Sequence, residues 1–459
     1  MGTEKLKNFL SGLSPEARRL LVRGIEEARA RGELDPSHEF ILSAARETFL
    51  KTGPRIPRIN NTKRLFFTPL EPFLISEILP KKQRGRIHRS SLDHIWNWVH
   101  RDLAKDKVGE AIHAVDEALT IGEPHEVEGA ARILRARFLA VAREYIAALV
   151  ATSDGHRRLA SQLGGQRVLD DLRDFVDVLE AERALGSFLK AMPEQVTADR
   201  RNIEKVTQAY AMFLRVEPGK SVFALAALMG RFDPPEDFLR FIVEAVGSDD
   251  LAVVAKSEYA PAIDIALTEI ARLVERFSGM PRTASSIPAI QGVIRQYHRW
   301  MRTFSVAFEV SQTSEWGKRI SEFRSTMSNR VSSLIEPSPL LTRRALRPVR
   351  TDGILRMPDP EVIDEALVAV SVLETALTAR ESLALNRMLP DTRKSIEQVV
   401  ETMTNGVIAE LRDSSEAERP ILSEYAQAGI NLSAAVFGED YAAVIRRARH
   451  VAMTHTAAR

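Results

Sequence analysis

Apolar residues recur every three or four positions along most of the chain, and this spacing predicts amphipathic α-helices. One stripe runs through Leu134, Phe138, Val141, Tyr145 and Leu149, and the strongest runs through Ile290, Ile294, Tyr297, Met301, Phe304 and Phe308. A sustained alternation of apolar and polar residues, which would indicate half-buried strands, is nearly absent. The pattern therefore predicts an all-α protein, either a multi-helical bundle or an irregular helical array, with no substantial sheet.

The strongest stripe alternates steps of four and three residues over eighteen positions. It is shorter than the roughly three to four heptads that indicate a coiled coil. We therefore interpret this segment as a helix that faces the core of the protein. The alternative is that helix 290–308 joins two copies of the chain in a homo-oligomer.

Proline-rich breaks in the helical pattern suggest a division of the chain into six segments. The breaks lie at residues 51–91, 279–288 and 336–360. The predicted segments are an N-terminal helical segment (1–50), a basic segment with prolines and aromatic residues (51–107), a central helical domain (108–280), a helical pair (289–336), a Pro/Arg-rich linker (337–360) and a C-terminal helical domain (361–459).

Composition narrows the class of protein without naming a function. The 459 residues are 44% hydrophobic and 27% charged, which is typical of a globular protein. The formal net charge of +2 is too small to create an overall electrostatic field that would attract nucleic acid or a membrane. The chain has no cysteine, which excludes disulfide scaffolds, thiolate nucleophiles and Cys-ligated zinc or iron–sulfur sites. No apolar run approaches the ~20 residues that span a bilayer, so we expect no transmembrane segment and a cytoplasmic location.

Positive charge is concentrated in one stretch, because residues 51–107 contain thirteen Lys/Arg and only five Asp/Glu. Its centre is the sequence KKQRGR, with Lys81, Lys82, Arg84 and Arg86, and Trp96 and Trp98 follow it. Since burying an unpaired charge is costly, we expect the four basic side chains to lie in water. Basic residues interleaved with aromatic rings can bind an acidic protein or a nucleic acid. We therefore predict the four basic residues as partner contacts, with the two tryptophans as anchors.

A second basic stretch, residues 343–356, contains five arginines and one aspartate. Arginine is suited to bidentate binding of carboxylate and phosphate groups. The prolines at 348 and 358 favour an extended chain whose charged groups lie in solvent. Arg343, Arg344 and Arg347 are therefore also predicted to contact a partner.

The sequence DDLRD at residues 170–174 matches the DDxxD pattern with which helical prenyl-diphosphate enzymes chelate magnesium. Asp170 and Asp174 lie one helical turn apart and could project together. Such a site needs a second carboxylate cluster facing it, and the sequence offers none. A magnesium site at Asp170 and Asp174 is therefore kept only as an alternative.

The sequence lacks the nucleophile elbow and the dinucleotide-binding turn of common enzymes, so it favours a non-enzymatic protein and implies no cofactor. The leading hypothesis is a cytoplasmic helical interaction or regulatory protein that engages an acidic protein partner through its basic aromatic segment. One alternative is a nucleic-acid-binding protein that uses the same segment. The other is a helical magnesium-dependent enzyme that acts on a diphosphate through DDLRD.

Overall fold

The computed structural model describes residues 61–103, 107–150 and 154–454, together with single positions at 10, 13, 17, 20, 21, 24 and 41. The chain divides into two compact units. The first comprises Met1–Ser76 and Pro80–Phe232, and the second comprises Glu77–Leu79 and Asp233–Arg459. The predicted N-terminal helical segment and the start of the basic segment lie largely outside the described residues.

The first unit is built from α-helices around a core of aromatic rings. Its helices from residue 61 onward, among the described residues, are Thr62–Phe67, Ser91–Trp98, Lys107–Ile121, Pro124–Val150, Gly155–Leu163, Gln166–Glu180, Glu182–Ala191, Arg200–Val216 and Ser221–Met229. The rings of Phe66, Phe138 and Phe175 lie with their centroids 5.0–5.3 Å apart, and all three are fully buried. Aromatic pairs at this separation add to the stabilisation from apolar burial. The core therefore holds the helices Thr62–Phe67, Pro124–Val150 and Gln166–Glu180 together.

The second unit is also helical. Its helices are Asp237–Val246, Leu251–Val254, Ala260–Gly279, Ile287–Ala307, Glu315–Ile335, Ser338–Leu346, Pro360–Thr378, Arg380–Leu383, Met388–Arg412, Arg419–Phe437 and Glu439–Thr454. The predicted stripe from Ile290 to Phe308 is buried, with every member of it at most 4% exposed. This confirms its interpretation as a core-facing helix. Because these side chains are buried, they are not available as an apolar contact surface for a second copy of the chain.

Two very short sheets accompany the helices in the described residues. Leu74–Ile75 pairs in parallel with Ile87–His88, and Arg350–Thr351 pairs antiparallel with Ile354–Leu355. The antiparallel hairpin turns at Asp352 and Gly353, whose φ angles are 52° and 78°. Positive φ at both central residues is the geometry of a type I′ turn, which Asp-Gly favours. The prediction of an all-α protein with no substantial sheet is confirmed.

Two of the six predicted segments can be compared directly with the elements. The region of the predicted helical pair, 289–336, contains most of the helix Ile287–Ala307 and all of the helix Glu315–Ile335. The predicted linker at 337–360 contains a helix, Ser338–Leu346, and the antiparallel hairpin, so it is not an extended connection. Its helix is anchored because Ala345 and Leu346 are buried. The main boundary between the two compact units falls between Phe232 and Asp233, inside the predicted central helical domain at 108–280.

Candidate functional site

The basic sequence KKQRGR does not form the free cationic loop that its composition predicts. The Lys82 ammonium lies 2.7 Å from a carboxylate oxygen of Asp171 and 2.7 Å from one of Asp174. Arg84 pairs with Asp177 at 2.9 Å. Arg86 is only 4% exposed. The expectation that these side chains lie free in water is therefore wrong for Arg86, and the charge of Lys82 is already matched inside the first unit.

The helix Gln166–Glu180 positions the two aspartates because residues three apart share one face of a helix. Asp171 is 1% exposed and accepts hydrogen bonds from the backbone N–H of His88 and the Ser91 hydroxyl. Asp174 accepts one from the Gly85 N–H at 2.9 Å. Burial raises the pKa of Asp174, and the Lys82 charge opposes that shift. The acidic motif and the basic loop therefore neutralise each other.

Gly85 makes this close approach feasible. Its φ is +79°, in the left-handed region that residues with a Cβ avoid. A Cβ at this position would also lie 3.3 Å from the Val222 side chain. The turn of the basic loop therefore requires glycine, and it brings the backbone N–H onto Asp174.

The same contacts bear on the alternative magnesium site. The Asp170 carboxylate interacts with Gln166 and Arg173, whereas Asp174 is directed at Lys82. The two carboxylates thus have different partners. Across the described residues, no group of three or more His, Cys, Asp or Glu side chains is arranged to hold a metal ion. The DDLRD motif therefore has a structural partner and no geometry that supports chelation.

The remaining predicted contacts of the first basic stretch are mostly enclosed. Lys81 is exposed and forms no ion pair with a described residue. Trp98 is 1% exposed and packs against Tyr145, with ring centroids 5.6 Å apart. Trp96 is half-buried and packs against Phe66 at 5.3 Å. Both tryptophans therefore act as core residues of the first unit rather than as exposed anchors.

The second basic stretch has a different environment. Arg344, Arg347, Arg350 and Arg356 line a cleft of about 590 Å³ in the second unit, which we call the arginine cleft. Its other lining residues are Pro348, Val349, Met357, Asp359, Val362 and Tyr425. Arg343 is exposed next to Arg344 but does not line the cleft. The cleft thus collects two of the three arginines predicted at 343–347 and two further arginines.

Three of the four lining arginines have no anionic partner among the described residues. These are Arg344, Arg347 and Arg356, and all three are exposed. Arg350 is different, because it pairs with Glu410 at 3.0 Å and with Glu418. Hydrogen bonds to these two carboxylates raise the pKa of Arg350. Arg350 therefore fixes the hairpin to the helices behind it and leaves the other three charges facing solvent.

Short local elements hold the arginines around the cleft. Arg344 lies in the last turn of the helix Ser338–Leu346, and Arg347 is the C-cap residue directly after it. The hairpin then returns the chain, and the Arg356 N–H donates to the Val349 carbonyl at 2.9 Å. Asp359 caps the next helix by accepting a hydrogen bond from the Glu361 N–H. Its carboxylate is thus partly used by the backbone.

The cleft also presents apolar surface. Val349 is 50% exposed and Met357 is 60% exposed. Ile354, on the adjacent hairpin, is 61% exposed. Tyr425 is the one aromatic lining residue and is 2% exposed, and burial raises the pKa of its hydroxyl. The arrangement can therefore bind carboxylate groups and, beside them, apolar side chains.

Comparison with known proteins assigns neither a family nor a function to this chain. No family model matches this chain, and neither a curated protein nor a solved structure was found to match it. In the part of the chain that is described, no helix is both long enough and apolar enough to cross a membrane. Any functional assignment therefore rests on the geometry of the described residues.

Proposed function

We propose that this protein is a cytoplasmic helical binding protein whose arginine cleft engages an acidic segment of another protein. The observation that carries the proposal is the set of three exposed arginines around one cleft without carboxylate partners among the described residues. Guanidinium groups bind carboxylates with two parallel hydrogen bonds, which gives both affinity and orientation. This proposal keeps the partner class predicted from sequence and moves the contact surface to the second unit.

The apolar part of the cleft favours a protein partner over a nucleic acid. Val349 and Met357 beside the arginines suit a peptide in which acidic residues alternate with leucine or valine side chains. Single-stranded nucleic acids instead bind where bases can stack on exposed aromatic rings. The aromatic ring that lines the cleft belongs to Tyr425, which is buried. The lining therefore lacks a stacking surface.

The first basic stretch contributes less to this proposal. Lys82, Arg84 and Arg86 are engaged within the first unit, so reaching a partner would require breaking contacts that stabilise the fold. Arg344, Arg347 and Arg356 need no such rearrangement. Binding of an acidic segment to the arginine cleft therefore costs less free energy than its binding to the KKQRGR loop.

The test is fluorescence anisotropy of the full chain with a labelled peptide of Glu-Glu-Leu repeats. Reversal of charge in the variant Arg344→Glu/Arg347→Glu should weaken binding by at least about tenfold, which corresponds to 1.4 kcal/mol. A control is Arg343→Glu, which makes half the change in net charge at an exposed arginine on the same helix that does not line the cleft. Since all three side chains are exposed, the melting temperatures of the variants should stay close to that of the wild type.

The outcomes separate the classes of partner. Equal peptide affinity for the double variant and the wild type would overturn the proposal. A single-stranded oligonucleotide that binds more tightly than the peptide, with affinity falling steeply as salt rises, would assign the cleft to nucleic acid instead. Loss of binding in Arg343→Glu to the same extent would show that only general surface charge is involved.

A further inference from the structure

A cavity in the first unit lies outside everything proposed above. It is open to solvent on one side and has a volume of about 610 Å³, between the turn Thr68–Phe73 and the helices Pro124–Val150, Gln166–Glu180 and Glu182–Ala191. Pockets for small organic molecules commonly measure about 300–1,000 Å³. The cavity is thus of the right size for one small molecule and too small for a folded partner.

Most of the cavity wall is apolar. The apolar side chains that line it are Leu65, Phe73, Val127, Ala131, Val178, Leu185 and Leu189. Three prolines, Pro69, Pro72 and Pro124, complete the wall. Proline has a fixed φ and no backbone donor, so these positions offer rigid apolar surface without an N–H that needs a partner. The wall is therefore preformed and suited to hydrocarbon.

Thr68, Glu128 and Lys190 also line the cavity, but all three are exposed. One less exposed ion pair, Arg135 with Glu182, faces the apolar wall. Arg135, whose side chain is only 8% exposed, binds Glu182 at 2.7 Å and donates to the Leu65 carbonyl at 3.1 Å. The guanidinium and the carboxylate cancel each other's charge inside the cavity. An anionic ligand that reaches Arg135 would meet the Glu182 carboxylate, whose side chain is 32% exposed, as a like charge. A neutral ligand could accept a hydrogen bond from a guanidinium N–H that the two partners leave over.

We infer that this cavity binds a neutral, largely apolar small molecule that carries a hydroxyl or carbonyl oxygen, which Arg135 orients. The inference does not depend on the arginine cleft, because the cavity and the cleft lie in different units and use different residues. It assigns the first unit a ligand class that neither the apolar pattern nor the charge pattern of the sequence predicts.

Gly186 offers a direct test. It lines the cavity from within the helix Glu182–Ala191, and a Cβ built there meets no atom within 4 Å. The variant Gly186→Leu should therefore fill the cavity without a clash, and leucine also has the higher helix propensity. Gly129→Leu is the matched control, because Gly129 lies in the helix Pro124–Val150, also has open space around its Cβ and does not line the cavity.

The probe is N-phenyl-1-naphthylamine, a neutral dye whose fluorescence rises in apolar surroundings. Wild type and Gly129→Leu should bind it saturably, and Gly186→Leu should bind it at least about tenfold more weakly. Decanol should displace the dye at lower concentration than decanoate. Equal dye binding by all three proteins would overturn the inference, provided that their circular dichroism shows the same helical fold.

Glu182→Gln tests the role of the polar pair separately. Without the carboxylate, the Arg135 charge is no longer cancelled, so decanoate should become the stronger competitor. Stronger competition by decanoate already in the wild type would show that the ligand is anionic and would contradict the inference. The acidic peptide serves as an internal check, because Gly186→Leu should bind it with unchanged affinity. If the wild type does not bind the dye but still binds the acidic peptide, the result contradicts the cavity inference and leaves the proposal for the arginine cleft unaffected.

Discussion

The Lys82 ammonium lies 2.7 Å from the Asp174 carboxylate, joining two residues that are 92 positions apart in the chain. Each belongs to a motif that suggests a site of its own, a cationic loop for an acidic partner in one case and a magnesium-binding aspartate cluster in the other. In the folded first unit each motif is the other's counterion. This single relationship removes the main support for both of those sites and directs attention to the arginines that have no such counterion.

Lys82 should be important for stability. Lys82→Met leaves Asp171 and Asp174 as buried carboxylates without their cation, and breaking a buried ion pair from one side costs about 3–5 kcal/mol. Lys81→Met is the matched control, because Lys81 is exposed and unpaired among the described residues, and its cost should stay within about 0.5 kcal/mol. Urea unfolding followed by circular dichroism measures both. Equal free energies of unfolding for the two variants would contradict the assigned role.

Glu77 should make the stability of the second unit depend on pH. Burial alone raises the pKa of Glu77, but hydrogen bonds from Arg272 and Arg276 and the Arg272 charge lower it to about 2, against an ordinary value of 4.5. A lowered pKa in the folded state stabilises the protein above pH 4.5, and the stabilisation is lost as the pH falls through about 2.

The variant Glu77→Gln isolates this contribution. It should be less stable than the wild type at pH 7 by about 1.5–3 kcal/mol, the range for hydrogen bonds to charged groups. The difference should shrink as unfolding is measured at successively lower pH below 4.5. Glu322→Gln, at an exposed position of the same unit, should show no such trend. A difference that stays constant with pH would exclude the proposed linkage.

Gly429 should tolerate no side chain, because the helices Met388–Arg412 and Arg419–Phe437 approach closely there. A Cβ at Gly429 would lie 2.8 Å from Thr404 Cγ2, and Thr404 is 1% exposed. Gly429→Ala should therefore destabilise the protein by about 1–3 kcal/mol through overpacking. Adding Thr404→Ala should recover part of that loss, since the two sites are in contact.

A second glycine on one of these helices serves as the control. Gly406 is exposed, and a Cβ there meets no atom within 4 Å. Gly406→Ala should stabilise the protein by up to about 1 kcal/mol, because alanine is the better helix former. Thermal unfolding measures these effects in the single variants Gly429→Ala, Gly406→Ala and Thr404→Ala and in the double variant Gly429→Ala/Thr404→Ala. Destabilisation by Gly406→Ala as large as by Gly429→Ala would point to helix propensity rather than packing.

The tryptophans of the first basic stretch should not contribute to binding of an acidic segment. Trp98 is buried and Trp96 is half-buried against Phe66. Trp96→Phe keeps an aromatic ring in the core, so the Kd for the Glu-Glu-Leu peptide should stay within about twofold of the wild type. A large loss of affinity in this variant, at unchanged melting temperature, would restore the basic aromatic segment as the binding surface.

Only part of the arginine cleft can be predicted from the local sequence. Arg344 and Arg347 are recognisable from sequence as basic residues near a proline, and they are exposed as that pattern suggests. The roles of Arg350 and Arg356 are not recognisable in this way. Arg350 is one more arginine in the same stretch, and only its pairing with Glu410 and Glu418, 60 and 68 residues away, separates it from its neighbours.

The sequence by itself determined the helical class and the inward face of the stripe from Ile290 to Phe308. Those features depend on spacing within one helix, where each residue's neighbours lie three and four positions away. Only the tertiary structure decided which charges remain free. The neutralisation of Lys82 by Asp174, the cavity around Arg135 and the cleft around Arg347 arise from contacts between distant segments. Charge pairing depends on those distances in space, and a linear pattern does not specify them.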